Sequence, residues 1–294
     1  MKIKAFDIVN IMLLLLLSLS IMAPFLLLLN QSLMTSDDIL KYGYTFIPKH
    51  IVADAYQYLL VEETFVWKGF AVTLFVAAAG TFLSLLFTSS LAYGLSKKYL
   101  PYRGPLTIFV LVTMFFSGGL IPSYLLLTNL GLKDSLWVLI IPVLISQWNM
   151  FLMRNFFMEL PGEIEESASI DGANQVTILF RVILPISLPV LATIGLFYAV
   201  AYWNSWFTAS IYIHSQHKWP LQLILRQMIV SLDVTTMAGA SEGGGSRSDT
   251  LLENVPKEAV KAATIMISSL PIMCVYPFIQ KYFVKGITVG SLKG

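Results

Sequence analysis

The chain has 294 residues, a net charge of +2, 56% apolar residues and only 12% charged residues. An average soluble domain has about 25% charged residues, so half the usual charge is too little to cover a globular surface. The basic residues are scattered rather than gathered into a stripe, which excludes a nucleic-acid-binding surface. A single cysteine, Cys274, excludes a disulfide or a cysteine-based metal site within one chain. The composition predicts a membrane protein.

The N-terminal segment is the first predicted span. Lys2 and Lys4, followed by the apolar run 11–17, imitate the start of a signal peptide. No Ala-x-Ala cleavage site follows, and the apolar run continues to Leu29. We therefore expect an uncleaved transmembrane helix over residues 9–29.

Five further apolar runs predict the remaining spans. They are 70–96, 106–127, 136–153, 186–207 and 262–284. Gly118, Gly119 and Pro122 interrupt the third span and Pro142 lies inside the fourth. Membrane helices tolerate such residues where neighbouring groups satisfy the backbone. The expected fold is all-α, a polytopic transmembrane helical bundle of about six spans that forms a single domain, 1–294.

The lysines and arginines orient these spans. With the N-terminus inside, ten of the 19 basic residues lie on the cytoplasmic side, and the bias is strongest in the short loop 97–105. Both termini are then cytoplasmic, and the outer loops are 31–69, 128–135 and 208–261. The last loop contains a glycine-rich stretch, 241–248, without the Gly-Lys-Ser/Thr ending of a phosphate-binding loop. We therefore expect no ATP hydrolysis by this chain.

The cytoplasmic segment 160–185, here named the elbow, carries the most informative pattern. Pro161 suits the first position of a helix, and three glutamates follow in its first turns. Gly172 supplies a left-handed residue that ends this helix, Asn174 can cap a second helix, and Pro185 marks the transition to the fifth span. These signals predict a helix-turn-helix along the membrane surface. Without further information, a plain connector is the likelier role of such a loop.

A motif within the elbow resembles the EAA motif of ABC importer permeases. Its residues are Glu166, Ser167, Ala168, Asp171, Gly172, Leu184 and Pro185. Ser167 stands where the motif has its first alanine and Val182 where it usually has isoleucine, and both changes preserve helix and apolar contact. The resemblance extends over the whole chain and implies the type I ABC importer permease fold.

The whole chain is most similar to the carbohydrate-uptake branch, the maltose-type second permease. The segments 217–227 and 284–294 resemble the subgroup that serves complex, often uronate-containing oligosaccharides. The resemblance implies a non-catalytic permease subunit of an ATP-driven importer in the bacterial cytoplasmic membrane. It also implies three kinds of partner: a second, homologous permease subunit, two cytoplasmic ATPase subunits that bind ATP and Mg, and an extracytoplasmic solute-binding protein. No cofactor is expected on this chain.

The resemblance also implies roles for single residues. The elbow would lie in a cleft of the ATPase, where Glu166 would pair with a basic residue, Gly172 would set the turn, and Leu184 and Pro185 would anchor the return. The C-terminal tail would contact the ATPase subunits through Gly286, Gly290 and Lys293.

The substrate pathway is less clearly marked. No Asp, Glu, Lys, Arg or His lies in the core of any predicted span, which argues against a proton relay. Aromatic rings can pack on apolar sugar faces, and amides can bind hydroxyls. The candidates are Gln147, Asn149, Tyr198, Tyr202, Trp203, Asn204 and Trp206. Tryptophan and tyrosine also form belts at membrane interfaces. For Trp203 and Trp206, a place in such a belt and a contact with sugar are therefore equally favoured interpretations.

Two other classes compete with the importer. A secondary transporter or channel predicts paired charges, broken helices or an internal repeat at the midplane, and no convincing repeat is present. A polytopic membrane enzyme needs acid–base groups near a membrane surface, but the carboxylates cluster in the elbow without histidine. His50, His214 and His217 lie in outer loops without a cluster of carboxylates or cysteines, which favours solvated surface over a metal site.

Overall fold

The computed structural model describes residues 5–43, 45–47, 50–62, 64–238 and 256–291. Over these residues the chain forms helices and turns and no strand, so the all-α class is confirmed. The chain divides into two compact units, Met1–Trp67 with Ile224–Pro271 and Lys68–Leu223 with Ile272–Gly294. The prediction of a single permease domain stays a prediction.

Thirteen helices are numbered here over the described residues. They are α1 Ala5–Gln31, α2 Ser36–Tyr42, α3 Asp54–Gln57, α4 Thr64–Ser96, α5 Arg103–Phe115, α6 Leu120–Asn129, α7 Gln147–Glu159, α8 Gly162–Ile170, α9 Gln175–Ile186, α10 Leu188–Trp203, α11 Trp206–Tyr212, α12 Leu221–Ala238 and α13 Lys257–Ser291. Short 3₁₀ turns cover Leu136–Leu139 and Ile141–Val143, and a π-helical turn, Leu179–Ile183, lies inside α9.

Two helices are each long and apolar enough to cross a membrane, among the residues that the structure describes: α1 over Phe6–Gln31 and α4 over Phe65–Ser96. The predicted spans 9–29 and 70–96 lie inside them. The leucines in the first two thirds of α1 are exposed, as Leu16 is with 71% of its surface, while Leu27, Leu28 and Leu29 are half-buried. Exposed apolar side chains along a whole helix are stable in lipid and unstable in water.

The third, fourth and fifth predicted spans are not continuous helices. α5 and α6 meet at 113°, the turns of Leu136–Val143 meet α7 at 48°, and α9 meets α10 at 88°. With each bent pair taken as one span, the described residues supply up to five spans. The sixth predicted span, 262–284, lies inside α13.

Local chemistry explains the breaks. Gly119 precedes α6 with a φ of +84°, which continues neither helix. Pro142 lies in the second 3₁₀ turn, and Ser146 then starts α7 by accepting a hydrogen bond from the Asn149 amide at 3.4 Å. At the third break, Ser187 is fully buried between the two helices. The apolar pattern of the sequence runs through all three breaks and therefore hides them.

Helices α4 and α10 pack antiparallel through a repeated polar contact. The hydroxyls of Ser84 and Tyr202 lie 2.8 Å apart, and one turn further along, those of Thr88 and Tyr198 lie 2.7 Å apart. Gly80 lies under the Tyr202 ring, where an added Cβ would be 2.7 Å from ring carbons. Small residues and hydroxyl pairs are the usual means by which membrane helices approach closely. These contacts fix α10, which lines the cavity described below.

Candidate substrate cavity and coupling elbow

The elbow has the helix-turn-helix form that its sequence predicts. Helix α8 begins at Gly162, one residue later than expected. Pro161 therefore lies at the N-cap and not at the first helical position. Gly172 has a φ of +83° and ends the turn after α8. The Asn174 side chain accepts a hydrogen bond from the Thr177 amide at 2.8 Å and so caps α9.

Both helices of the elbow are tied to the cytoplasmic end predicted for α4. The Lys97 ammonium pairs with Glu165 of α8 and lies 3.9 Å from the centroid of the Tyr93 ring. The Tyr93 hydroxyl donates a hydrogen bond to the Gln175 side chain of α9 at 3.0 Å. The ion pair is largely shielded, since the Lys97 side chain is only 11% exposed. α4 therefore holds α8 and α9 in one arrangement.

The opposite surface of the elbow is open. Glu166, Ser167 and Asp171 are exposed. Two apolar side chains, Ile170 at 85% and Val176 at 66%, are also exposed. These polar and apolar side chains together form the exposed surface of the elbow.

The remaining residues of the motif are distributed along the elbow. Ala168 is half-buried, and Leu184 and Pro185 lie in the last turn of α9, before the 88° bend. Of the residues predicted to reach the ATPase, Gly286 and Gly290 lie in α13, and Lys293 lies outside the described residues.

A cavity of about 610 Å³ lies between the start of α7 and the helices α10 and α11. Its lining combines aromatic and polar side chains, and no charged residue is among its described lining residues. The aromatic residues are Trp148, Phe197, Tyr198, Tyr202 and Phe207, and the polar ones are Ser146, Asn149, Asn204, Ser205 and Thr208.

Four of the seven predicted pathway residues line this cavity: Asn149, Tyr198, Tyr202 and Asn204. The two tyrosine hydroxyls already hold the helices together. Tyr198 bonds Thr88 and also accepts a hydrogen bond from the Ser146 amide at 2.8 Å, and Tyr202 bonds Ser84. The tyrosines therefore contribute rings to the cavity wall.

The other three predicted residues lie outside the described lining. Gln147 donates a hydrogen bond to the Thr113 hydroxyl at 3.3 Å. Trp203 packs edge-on against Phe70 at 6.1 Å, and Trp206 packs edge-on against the cavity residue Phe207 at 5.5 Å. Helix packing, which sequence alone does not reveal, separates these three side chains from the nearby residues that line the cavity.

Two polar side chains of the cavity lack a partner among the described residues. Asn149 is 6% exposed, and its side-chain amide makes no hydrogen bond there. The Ser205 hydroxyl is a fully buried polar group without a partner within the described part of the chain. Asn204 is exposed, and its side chain donates to the Val200 carbonyl at 2.9 Å. Ser205 was not among the residues predicted from the sequence, and the break between α10 and α11 at which it lies is visible only in the structure.

A smaller cavity of about 330 Å³ adjoins the first. Phe207 and Thr208 line both, while Gly119 of the α5–α6 break and Ser123 of α6 line only the smaller one. The two cavities together follow one side of α11.

A cluster around Asp134 joins the segment after α6 to the segment after α11. Its carboxylate accepts hydrogen bonds from the His214 and Ser215 amides at 2.9 Å each, from the Ser215 hydroxyl at 2.6 Å and from Lys218 at 3.2 Å. The bonds from Ser215, aided by those from His214 and Lys218, hold the pKa of the Asp134 carboxyl well below its usual range. Among the histidines, His50 also has a carboxylate neighbour, Asp38, at 3.0 Å. No group of three potential metal ligands occurs among the described residues.

The sequence profile of one protein family, the binding-protein-dependent transport system inner membrane component, matches residues 105–289. The chain belongs to this family. The permease is 40% identical to the polygalacturonan/rhamnogalacturonan transport system permease protein YtcP of Bacillus subtilis (strain 168), over 100% of both chains. It is 41% identical to Protein LplC of the same organism, over 99% of this chain and 96% of LplC.

A solved structure shares the whole fold of the permease. It is a chain from the crystal structure of a bacterial ABC transporter involved in the import of the acidic polysaccharide alginate. The TM-score is 0.84 at 33% identity, over 95% of this chain and 96% of that chain. The resemblance noted from the EAA-like motif is thereby confirmed, as are the permease fold and the role of transport subunit. The side of the membrane on which each loop lies stays a prediction.

Proposed function

We propose that the permease moves a uronate-containing oligosaccharide from a solute-binding protein into the cytoplasm, driven by ATP. The observation that carries this proposal is the full-length similarity to YtcP, at 40% identity, and to a transporter of the acidic polysaccharide alginate, at 33%. Both names describe polymers of acidic sugars. The amides and aromatic rings of the cavity are chemically suited to carbohydrate.

The energy enters through the elbow. The exposed Glu166, with the exposed apolar side chains of Ile170 and Val176, forms the surface that contacts a cytoplasmic ATPase. ATP and Mg bind to that ATPase. When two ATPase subunits close, they displace the elbow, and because Lys97 holds α8 to α4, the displacement reaches the helices around the cavity.

The working unit contains more than this chain. A second, homologous permease completes the pathway as a heterodimer, and two ATPase subunits lie on the cytoplasmic side. The C-terminal residues Gly286, Gly290 and Lys293 contact the ATPase subunits. Both termini are cytoplasmic, and the segments 31–69 and 208–261 face the solute-binding protein.

Reconstitution tests this proposal. Proteoliposomes that hold the complete complex should accumulate a galacturonate oligomer only with ATP and the binding protein. Uptake should persist when the proton gradient is collapsed while ATP is maintained. Accumulation by this chain alone from a proton gradient would show that it is a secondary transporter.

A further inference from the structure

The cavity offers hydrogen bonds that its own chain does not use, but no charge. We propose that it is a subsite for the uncharged, hydroxyl-bearing face of one sugar unit, with Asn149 and Ser205 as its hydrogen-bonding groups. This inference rests on the proposed function and specifies what part of the substrate this subunit recognises.

The unpaired groups argue for a polar ligand. The Ser205 hydroxyl is buried without a partner among the described residues. Asn149 is 6% exposed, and its side-chain amide makes no hydrogen bond to another described residue. A buried polar group without a partner destabilises the folded chain, and a ligand that hydrogen-bonds to it removes that cost. An amide and a hydroxyl can each donate and accept a hydrogen bond, as a sugar hydroxyl can. Asn149 and Ser205 can therefore bond to a sugar hydroxyl either as donors or as acceptors.

The aromatic part of the wall fits the apolar face of the same unit. Trp148 lines the cavity with 59% of its surface exposed, and Phe197 lines it at 38%. The volume of about 610 Å³ falls within the range of about 300–1,000 Å³ typical of small-molecule sites. A sugar ring that stacks on these side chains leaves its hydroxyls free to bond the polar groups of the lining.

The absence of charge determines which part of an acidic sugar fits here. A carboxylate removed from water needs a charged or strongly hydrogen-bonding partner. No lysine, arginine or histidine is among the described lining residues of the cavity. The carboxylate of a uronate therefore points away from this subunit, and its counter-charge comes from another subunit of the transporter.

A matched pair of probes tests the subsite: trigalacturonate and its fully methyl-esterified form, in which each carboxylate is replaced by an uncharged methyl ester. The assembled complex, without binding protein, is titrated with each trimer while tryptophan fluorescence is followed, and a Trp148→Phe complex supplies the blank. Asn149→Ala and Ser205→Ala should each raise the dissociation constant about 2- to 10-fold, the range expected for one hydrogen bond. The dissociation constants of the acidic and the esterified trimer should rise by the same factor.

Ser210→Ala is the matched control. Ser210 bonds the Phe207 carbonyl at 2.7 Å and is not among the lining residues of the cavity, so its loss should leave both constants unchanged. Weakening of the acidic trimer alone would place the carboxylate in the cavity and overturn the proposal. Unchanged constants in both variants, or no quenching that depends on Trp148 in the wild type, would also overturn it. ATP-driven uptake by wild-type proteoliposomes is measured separately, and its failure counts against the proposed function.

Discussion

Gly172 combines a left-handed backbone with open space around it. Its φ is +83°, and no atom lies within 4 Å of a Cβ added there, so a substitution meets conformational strain rather than a clash. A left-handed backbone costs a non-glycine residue about 1–2 kcal/mol, and a β-branched residue more. Gly172→Ala should weaken coupling, and Gly172→Val should abolish sugar-stimulated ATPase activity while insertion stays normal. Stimulated ATPase activity in proteoliposomes measures the effect.

Gly162→Ala is the control for this prediction. Gly162 also has open space around its added Cβ, but its φ lies outside the left-handed range. The same chemical change there should therefore leave coupling intact. Equal activity of Gly172→Val and the wild type would show that the elbow tolerates a distorted turn and that its geometry does not transmit the energy of ATP.

Gly80 shows the opposite case, in which the space is filled. A Cβ added there would lie 2.7 Å from the Tyr202 ring, whose hydroxyl is bonded to Ser84. Gly80→Ala should lower the free energy of unfolding by about 1–3 kcal/mol because the ring must move. Gly94, in the same helix, has no atom within 4 Å of its added Cβ. Gly94→Ala should therefore be neutral or slightly stabilising, and thermal unfolding in detergent compares the two variants.

The link between α4 and α8 is one ion pair, which can be tested by exchange of its charges. Lys97→Glu and Glu165→Lys should each lower transport, and the double exchange should restore it. The coupling free energy of such neighbours is about 0.5–3 kcal/mol, measurable as a difference in thermal stability. Glu166→Lys is the control, because Glu166 is exposed and Lys97→Glu should not rescue it. Additive effects of Lys97→Glu and Glu165→Lys would show that the pair is incidental.

The Asp134 cluster should resist acid. Because the folded pKa lies below the unfolded value of about 3.9, its contribution to stability is complete above that pH. The contribution is lost only as the pH falls through the depressed folded pKa. Hydrogen-exchange protection of the His214 and Ser215 amides should thus be unchanged between about pH 7 and 5. Protection that declines within this range would contradict the lowered pKa.

Substitution of Asp134 distinguishes the effect of the carboxylate charge from the effect of the left-handed backbone at this position. Asp134 has a φ of 55°, a left-handed conformation that asparagine also adopts readily. Asp134→Asn should keep the loop conformation and lose part of the amide protection, whereas Asp134→Ala should lose more. Equal protection in all three proteins would show that the carboxylate does not organise this loop.

Local signals in the sequence were sufficient to predict the helix-turn-helix form of the elbow. Gly172 and Asn174 act through their own neighbours, so turn chemistry predicts both positions. The partners of Lys97 and Tyr198 were not predictable, since Glu165 is 68 residues from Lys97 and Thr88 is 110 residues from Tyr198. Only the packing of whole helices brings such residues together. For the same reason, the sequence indicated amides and rings for the cavity but did not separate Asn149 from Gln147.

The bend between α9 and α10 allows two different paths of the chain through the membrane. α10 has 16 residues, which at about 1.5 Å per residue is about 24 Å, less than the apolar thickness of about 30 Å. α11 adds seven residues after the break at Asn204 and Ser205. If α10 and α11 cross together, the 88° bend directs α9 along the membrane surface, as the elbow requires. If they do not cross, the pair is a re-entrant loop.

Cysteine labelling distinguishes these two topologies. In a Cys274→Ser background, Ser169→Cys lies in the elbow and Gln216→Cys lies beyond α11, and both native side chains are exposed. One predicted span, 186–207, separates them. A membrane-impermeant maleimide added to intact cells should label Gln216→Cys and should reach Ser169→Cys only after permeabilisation. The reverse pattern would invert the predicted orientation. Labelling of both from one side would show that α10 and α11 turn back within the membrane, and the elbow would then share its side with the segment that we assign to the binding protein.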